Sequence, residues 1–560
     1  MWRQKLFFRG SLLLLCLLAY ANSLGNGFVF DDMPVIVENS LVTDRGAVLR
    51  IFSTPYWIEP GTGLYRPVTL FTFHLNHALA GIQPFSFHLV NIALHMIVVA
   101  LLYGLGIRLG LSSAGAYLSA ALFAVHPIHT EAVSNIVGRA ELLMSLGVLL
   151  SLIWYIDCRA ASTLKPRVLL ASLLTFSLSL LSKEQAVVLP FLIVLYDVAL
   201  RPNRELAGPG AIKRAATRYS GYFILLGMLV LLRLQLMGPT LFTGPSNVSY
   251  LDNPLAHMTW FERVPGALFV ATKCLMLFAW PSSLCADYSY NALPLPSRLW
   301  EPEPLAAVIV MCVLIFLALW SYTKGKRLAF FALGFSLLTY APVSNMIRPI
   351  GTIMGERLLY LPSAGLSLLI GIGLDALVAR HAFSIRSRAW KFISAIVACA
   401  LIMAVARTIH RNRDWRDCMS IVRSSLKTSP QNARAQLGLA SVHFKDREFS
   451  SAVAAFEKAA RIYPDLPLSH AAFAQNYGTA LLGSGNEEKA IPLLMSATHL
   501  DPNLVNAHYH LGIAYIKIKD LGRAAEEFSI VLDLSNESNE NGYYERAVYW
   551  LKQITVDPGR

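Results

Sequence analysis

Eleven runs of apolar residues dominate the first 409 positions of this 560-residue chain, at 10–24, 88–107, 111–126, 139–156, 168–182, 186–200, 219–236, 304–322, 328–343, 362–379 and 391–409. Each is continuous rather than alternating, and each can cross, or nearly cross, about 30 Å of hydrocarbon as a helix. Helices are what such runs must form, because in lipid every backbone amide has to find its partner within the segment. Several runs are short, which predicts tight bends or helices that start below the surface. Two long stretches of mixed polarity separate the runs, 25–87 and 237–303. The apolar segment 264–280 holds Lys273 and is bounded by Pro265 and Pro281, so it is read as an interfacial or re-entrant helix. Arg3, Lys5 and Arg9 precede the first run, and Ala19-Tyr20-Ala21 resembles a signal-peptidase site. With so many runs behind it, an uncleaved first span is expected.

Charge sets the orientation. The N-terminus, Arg108 and the connections 157–167, 201–218, 324–327 and 380–391 together hold 19 Lys+Arg against two acidic residues, Asp157 and Glu205. These are alternate loops, and basic residues hold loops on the cytoplasmic side. With eleven spans the N-terminus is inside and the C-terminal tail outside, in the periplasm or the ER lumen. The composition agrees: 55% of residues are hydrophobic and only 15% charged, against about 25% charged in soluble domains. The tail from 410 onward balances 17 Lys+Arg with 17 Asp+Glu, so the net charge of +13 lies wholly in 1–409. A neutral soluble part argues against a nucleic-acid partner. The seven cysteines show no CxxC spacing, and five lie in or beside apolar runs. They indicate neither a disulfide framework nor a zinc site.

The tail repeats itself. Ala440, Ala452, Phe456, Ala459 and Pro464 recur as Gly478, Ala490, Leu494, Ala497 and Pro502. A third unit carries Gly512, Tyr515, Ala524, Phe528 and Val531, with Asn536 in place of the proline. The spacing is 38 and then 34 residues, and the second is the tetratricopeptide (TPR) period. Small residues let paired helices approach, and the aromatic fills the groove between units. Tyr543–Thr555 is expected to close the stack. The organisation predicted is therefore all-α: a membrane domain over 1–409, a linker over 410–431, and a TPR solenoid of about three repeats over 432–560. Such a solenoid binds peptide segments or acts as a spacer.

The outer loops hold more ionisable residues than an anchor needs. Asp31 and Asp32 follow the first span directly. Adjacent carboxylates can simply cap a helix, or they can supply a base or metal ligand, since burial and mutual repulsion raise one pKa. His126, His129 and Glu131 follow the third run, and Arg139 and Glu141 open the fourth. Lys183 and Glu184 lie between the fifth and sixth, and Arg348, Glu356, Arg357 and Tyr360 precede the tenth. Ionisable groups at such depth are costly unless paired. Some can be local ion pairs; five groups on one side predict an outward-facing polar cavity. His126, His129 and Glu131 could ligate a metal, but Pro127 breaks the helix and no further ligand set matches, so no metal site is assigned.

The combination resembles the TMTC family, the transmembrane and TPR-containing protein O-mannosyltransferases. The elements that carry the resemblance run in order. They are Phe28-Val29-Phe30-Asp31-Asp32, Tyr65-Arg66-Pro67, Phe87-His88-Leu89-Val90-Asn91 and His126-Pro127-Ile128-His129-Thr130-Glu131-Ala132-Val133. Gly138-Arg139-Ala140-Glu141, Lys183-Glu184-Gln185, Leu284-Cys285-Ala286-Asp287-Tyr288-Ser289 and Glu356-Arg357-Leu358-Leu359-Tyr360 complete the series. The resemblance implies a GT-C-type transferase with its site in the outer loops and a lipid-linked donor, a polyprenyl- or dolichyl-phosphate mannose. Its acceptors are Ser and Thr hydroxyls of proteins, captured in part by the TPR groove. It places the catalytic base at Asp31-Asp32, for an inverting displacement.

The lipid phosphate that leaves requires cations, for which Arg357, Arg348, Arg139 and Arg66 are the candidates, with Glu356 and Tyr360 beside them. His126, His129, Glu131, Glu141, Lys183 and Glu184 would orient acceptor or sugar. No cofactor beyond the donor is implied, and a need for a divalent metal is not readable. About three TPR units is shorter than the animal members' arrays. That fits a bacterial relative in the inner membrane, with the ER membrane as the alternative. The sequon Asn247-Val248-Ser249 lies in an outer loop. Competing readings are a GT-C transferase for another lipid-linked sugar or acceptor, and a non-enzymatic scaffold that displays TPRs. A transporter would show polar spans and repeated halves, which are not seen.

Overall fold

Helices and short polar turns make up nearly all of the computed structural model, which describes residues 2–57, 64–160, 166–201, 211–237, 248–296, 298–381, 388–535 and 542–556. Among these residues the β pairing amounts to one isolated antiparallel bridge, Tyr288 with Met354. Asn247 of the sequon, Lys165, Arg204, Glu205, Arg386 and Asn536 lie outside the described residues. By contact the chain divides into two units, Met1–Tyr288 with Pro294–Ile421, and Ser289–Leu293 with Val422–Arg560.

Every apolar run of the first unit is a helix. In chain order, with two helices of the outer loops included, these are α1 (Trp2–Tyr20), α2 (Pro67–Ala80), α3 (Pro84–Leu109), α4 (Ser113–Val125), α5 (Arg139–Ala160), α6 (Pro166–Ser182), α7 (Leu189–Leu200), α8 (Ala211–Met237), α9 (Trp260–Ala279), α10 (Pro302–Thr323), α11 (Arg327–Tyr340), α12 (Tyr360–His381) and α13 (Arg388–Asn412). Seven are long and apolar enough to cross a membrane: α1, α3, α5, α8, α10, α12 and α13 with their flanking turns. The chain is a multi-pass membrane protein. Helix α9 is not among the seven, and Trp260, Phe261 and Trp280 are exposed at its two ends, the residues that anchor a segment at an interface.

The short runs have a common explanation. After α4 the chain makes a 3-10 turn (Pro127–His129), one α-helical turn (Thr130–Val133) and a second 3-10 turn (Ile136–Gly138) before α5 begins. Similar turns precede α7 (Glu184–Val188) and α12 (Glu356–Leu359). Each run is shortened because one of its ends is given over to a buried polar connection. Buried hydrophobic residues of α1, α3–α7, α11 and α12 form one large core. Close packing at Gly371 allows α12 to meet α4, since a Cβ there would stand 2.3 Å from the Gly115 carbonyl oxygen.

The stretch between α1 and α3 carries a core of its own, built from Val35, Ile36, Val42, Ile51, Leu70, Phe73 and Phe87, with Ile136 and Val137. A loop with such a core is a fixed platform rather than a tether. Pro67 starts α2 at the position where its missing N–H costs nothing.

In the second unit, helices α14 to α20 are Cys418–Thr428, Ala433–Lys445, Phe449–Ile462, Ala471–Gly483, Glu487–Leu500, Val505–Lys517 and Leu521–Leu534, followed by α21, Tyr543–Val556. The unit boundary falls within α14. The predicted register holds: Ala440, Ala452, Ala459, Ala490, Leu494, Ala497, Ala524, Phe528 and Val531 are fully buried. An extra turn, Leu466–Ser469, accounts for the 38-residue first spacing. Residues 410–431, expected as a linker, are helical over most of their length, with Trp415 buried.

Candidate functional site

Asp31 and Asp32 are adjacent in sequence and opposite in environment. Asp32 is fully buried, and its two carboxylate oxygens accept the backbone N–H groups of Val29 and Val137, each at 3.0 Å. Burial pushes its carboxyl up to about 7, against the pull of the N–H donors. The group therefore pins the start of the loop after α1 to the turn before α5. Asp31 is partly exposed, and its carboxylate accepts no hydrogen bond among the described residues. The preceding Phe30 stands at φ 47°, a left-handed conformation that costs a bulky residue of order 1 kcal/mol. Its ring meets Trp415 edge-to-face at 6.5 Å. That strained, stacked residue turns Asp31 outward while Asp32 turns in.

Three ion pairs lie nearby. Glu131 is buried and accepts both the backbone N–H of Arg357, at 2.9 Å, and its guanidinium Nη1, at 2.5 Å. Lys183 and Glu141 form a buried pair. Arg66 grips Glu184 with Nε at 3.0 Å and Nη2 at 2.5 Å, and Arg233 approaches the same carboxylate at 3.8 Å. Burial alone would raise the Glu184 carboxyl, but Arg66 and Arg233 hold it well below the usual range. The groups form one field: the charges of Asp31, Glu131, Glu141 and Arg66 all act on Arg357. Of these cations, Arg357 keeps 30% of its side chain exposed and Arg66 13%.

The remaining expected residues are built into the frame. Arg139 is fully buried between the rings of Phe73 and Phe87, and donates to Asn91 Oδ1, Asn76 Oδ1 and the carbonyls of Thr72 and Phe87 at 2.9–3.2 Å. Every guanidinium nitrogen is engaged, which leaves no edge for a phosphate. Glu356 is fully buried and accepts from the Cys285 N–H (2.6 Å) and the Tyr288 hydroxyl (2.9 Å), with Arg411 3.5 Å away. Tyr360 donates to His95 Nδ1 at 2.7 Å, since His95 Nε2 must carry the proton it gives to the Ala124 carbonyl.

His126 donates from Nε2 to the Phe278 carbonyl and accepts the Ile128 N–H at Nδ1. His129 is bonded to Phe123 and Ser363, and burial holds it well below the ordinary histidine range. Both rings are neutral with their nitrogens spent, so they do not offer themselves to a metal. No cluster of three metal-ligating side chains forms among the described residues. Arg348 lies partly exposed in the loop before α12, with a partner of its own.

An apolar cleft runs between α9, α10, α11 and α12. Leu359, Pro362 and Ser363 line it, two to six residues beyond Arg357, as does Phe278, which stacks on His126 at 4.8 Å. Sequence reasoning missed Arg233, although a lone arginine inside an apolar run is itself a signal. It quoted Asn91 in a motif without giving it a role; the amide donates to the carbonyls of Val133, Asn135 and Ile136. Tyr56, considered below, carried no local signal.

Comparison with known proteins gives a consistent answer. Residues 60–230 match the family described as dolichyl-phosphate-mannose-protein mannosyltransferase. Residues 242–315 match protein O-mannosyl-transferase TMTC, DUF1736, and 411–467 match a tetratricopeptide repeat. Protein O-mannosyl-transferase TMTC3 of Mus musculus is 28% identical over 90% of this chain and 52% of its own length. TMTC4 of Homo sapiens is 30% identical, over 77% of this chain and 62% of its own length. For TMTC1 of Homo sapiens the figures are 30%, 82% and 55%. The chain thus spans little more than half the length of the curated relatives it matches.

Proposed function

The chain belongs to the TMTC family, and from that premise we propose that it transfers mannose from a polyprenyl-phosphate donor to Ser or Thr hydroxyls of proteins on the outer face of the membrane. The observation that carries this reading is Asp31: a partly exposed carboxylate that accepts no hydrogen bond among the described residues, next to buried Asp32 and within the field of Arg357.

In the proposed reaction the acceptor oxygen attacks the anomeric carbon from the face opposite the phosphate. The new C–O bond forms as the bond to the phosphate oxygen breaks, and the electron pair leaves on the phosphate. Asp31 takes the hydroxyl proton, and the anomeric configuration inverts. Arg357 and Arg66, whose guanidinium groups keep some exposure, are assigned to the phosphate, where charge grows in the transition state. Arg139, Glu356, Tyr360, His126 and His129 are assigned to positioning, because their polar atoms are already paired. Glu131 orients Arg357, Glu184 orients Arg66, and the Glu141–Lys183 pair lies behind them. The apolar cleft beyond Leu359 suits the isoprenoid tail of such a donor.

The TPR unit is assigned to capture of acceptor segments. The proposed orientation keeps the N-terminus in the cytoplasm and the outer face in the periplasm, with the ER lumen as the alternative. The test is transfer of radiolabelled polyprenyl-phosphate mannose to a Ser/Thr-rich peptide by the purified chain in nanodiscs. Wild type should label the peptide, and Asp31→Asn should lose at least about 100-fold. Equal transfer by Asp31→Asn removes Asp31 as the base. If wild type uses no lipid-linked sugar while its repeats still capture partners, the scaffold reading replaces this one.

A further inference from the structure

Tyr56 is 2% exposed, and its hydroxyl has no hydrogen-bond partner among the described residues. A buried hydroxyl left unpaired costs about 1–3 kcal/mol, so its persistence in a well-packed loop asks for a reason. Its ring is held in place: the backbone N–H donates to the Leu64 carbonyl at 2.8 Å, Trp57 stands edge-on at 5.8 Å, and the Arg66 guanidinium lies over the ring at 5.2 Å. The charges that act on the hydroxyl are those of Arg66, Asp31, Asp32 and Arg357. The Tyr56 ring thus lies under the Arg66 guanidinium, and its hydroxyl shares the electrostatic field of Asp31 and Arg357. Burial pushes the phenol further up from its ordinary range, so at neutral pH it is a proton donor and cannot serve as a base.

We propose that the Tyr56 hydroxyl is a positioning donor for the lipid phosphate, giving one hydrogen bond to a phosphate oxygen that Arg66 and Arg357 neutralise. This rests on the reading of the site as one for a polyprenyl-phosphate donor. Two cations alone fix charge but not rotation about the phosphate. A short, directional O–H donor on a ring with two torsions supplies the missing orientation.

The experiment measures binding of labelled polyprenyl phosphate, and of polyprenol as a control without phosphate, to the purified chain and to Tyr56→Phe in nanodiscs, with melting temperatures alongside. Loss of one hydrogen bond to a charged group predicts roughly 10-fold weaker binding of the lipid phosphate. Polyprenol binding should stay unchanged, and the melting temperature unchanged or higher, because an unsatisfied hydroxyl has been removed. A hydroxyl that merely supports the fold would lower the melting temperature and weaken both lipids together, which overturns the proposal. Equal phosphate binding by Tyr56→Phe and wild type overturns it alone. If wild type fails to bind polyprenyl phosphate above polyprenol, the donor reading itself falls and takes this one with it.

Discussion

Glu131 and Arg357, 226 positions apart, meet through two hydrogen bonds, the Arg357 backbone N–H to Oε2 at 2.9 Å and Nη1 to Oε1 at 2.5 Å. One carboxylate therefore fixes both the main chain and the guanidinium of the second residue of the turn that leads into α12. Replacing Glu131 by Ala should lower stability by roughly 2 kcal/mol, below the usual cost for a fully buried pair because Arg357 keeps some water. Transfer should fall more than stability does, since Arg357 loses its aim. Glu131→Gln, which preserves the shape, should recover most of the melting temperature but not the activity; paired thermal melts and transfer assays check both.

Asp31 and Asp32 should separate cleanly. Asp31→Asn is expected to abolish transfer with the melting temperature unchanged, because the side chain accepts no hydrogen bond among the described residues. Asp32 acts on stability through pH. Its carboxyl is raised to about 7 in the folded chain, against about 4 unfolded. Between those values the folded state holds a proton that the unfolded state has released, so stability falls as pH rises from 4 to 7 and levels off above. The swing is at most about 4 kcal/mol. Asp32→Asn should flatten that slope in thermal melts at pH 5 and pH 8, and an unchanged slope would show that Asp32 is not its source.

Arg139→Lys should be a folding variant and not a donor-binding one. An ammonium cannot reach Asn91, Asn76, Thr72 and Phe87 together or sit flat between Phe73 and Phe87. A loss of about 2–4 kcal/mol is expected. The fraction that remains folded should bind polyprenyl phosphate as wild type does, and a selective loss of phosphate binding would return Arg139 to the donor site.

Gly138→Ala tests the turn that carries Glu131. An added Cβ would lie 2.4 Å from the Ala132 carbonyl oxygen and 2.8 Å from that of Glu131. Both are backbone atoms within a buried turn, so the turn itself must move, at a cost of about 2 kcal/mol. The expected result is a lower melting temperature together with weakened transfer, since Glu131, Val137 and Arg139 shift as one.

Much of the site was legible where charge violated its surroundings. Arg66, Lys183, Glu184, Glu131 and Arg357 stand out because ionisable groups beside apolar runs are costly, and all of them do meet in one field. Their partners were not legible. Arg139-Ala140-Glu141 reads as a local pair, yet Arg139 turns to α2 and α3 while Glu141 pairs with Lys183. Side chains two apart on a helix face different directions, so neighbours in sequence serve different partners. The sequence assigns the histidines to orienting acceptor or sugar, and it carries no sign of the Phe278 and Phe123 carbonyls that occupy a ring nitrogen of each.

The sequence by itself determined what hydrophobicity and period can determine: that the first 409 residues are apolar helices for a membrane, and that the tail is a stack of helix pairs. Both follow from local rules, since a chain in lipid must satisfy its own amides and a small residue at a fixed period must sit at a helix crossing. Only the tertiary structure decided which carboxylate of the Asp31-Asp32 pair is open, which arginines keep a free edge, and that Tyr56 stands among them. Those distinctions depend on burial and on the second partner of each polar group, and residues more than a hundred positions away supply that partner.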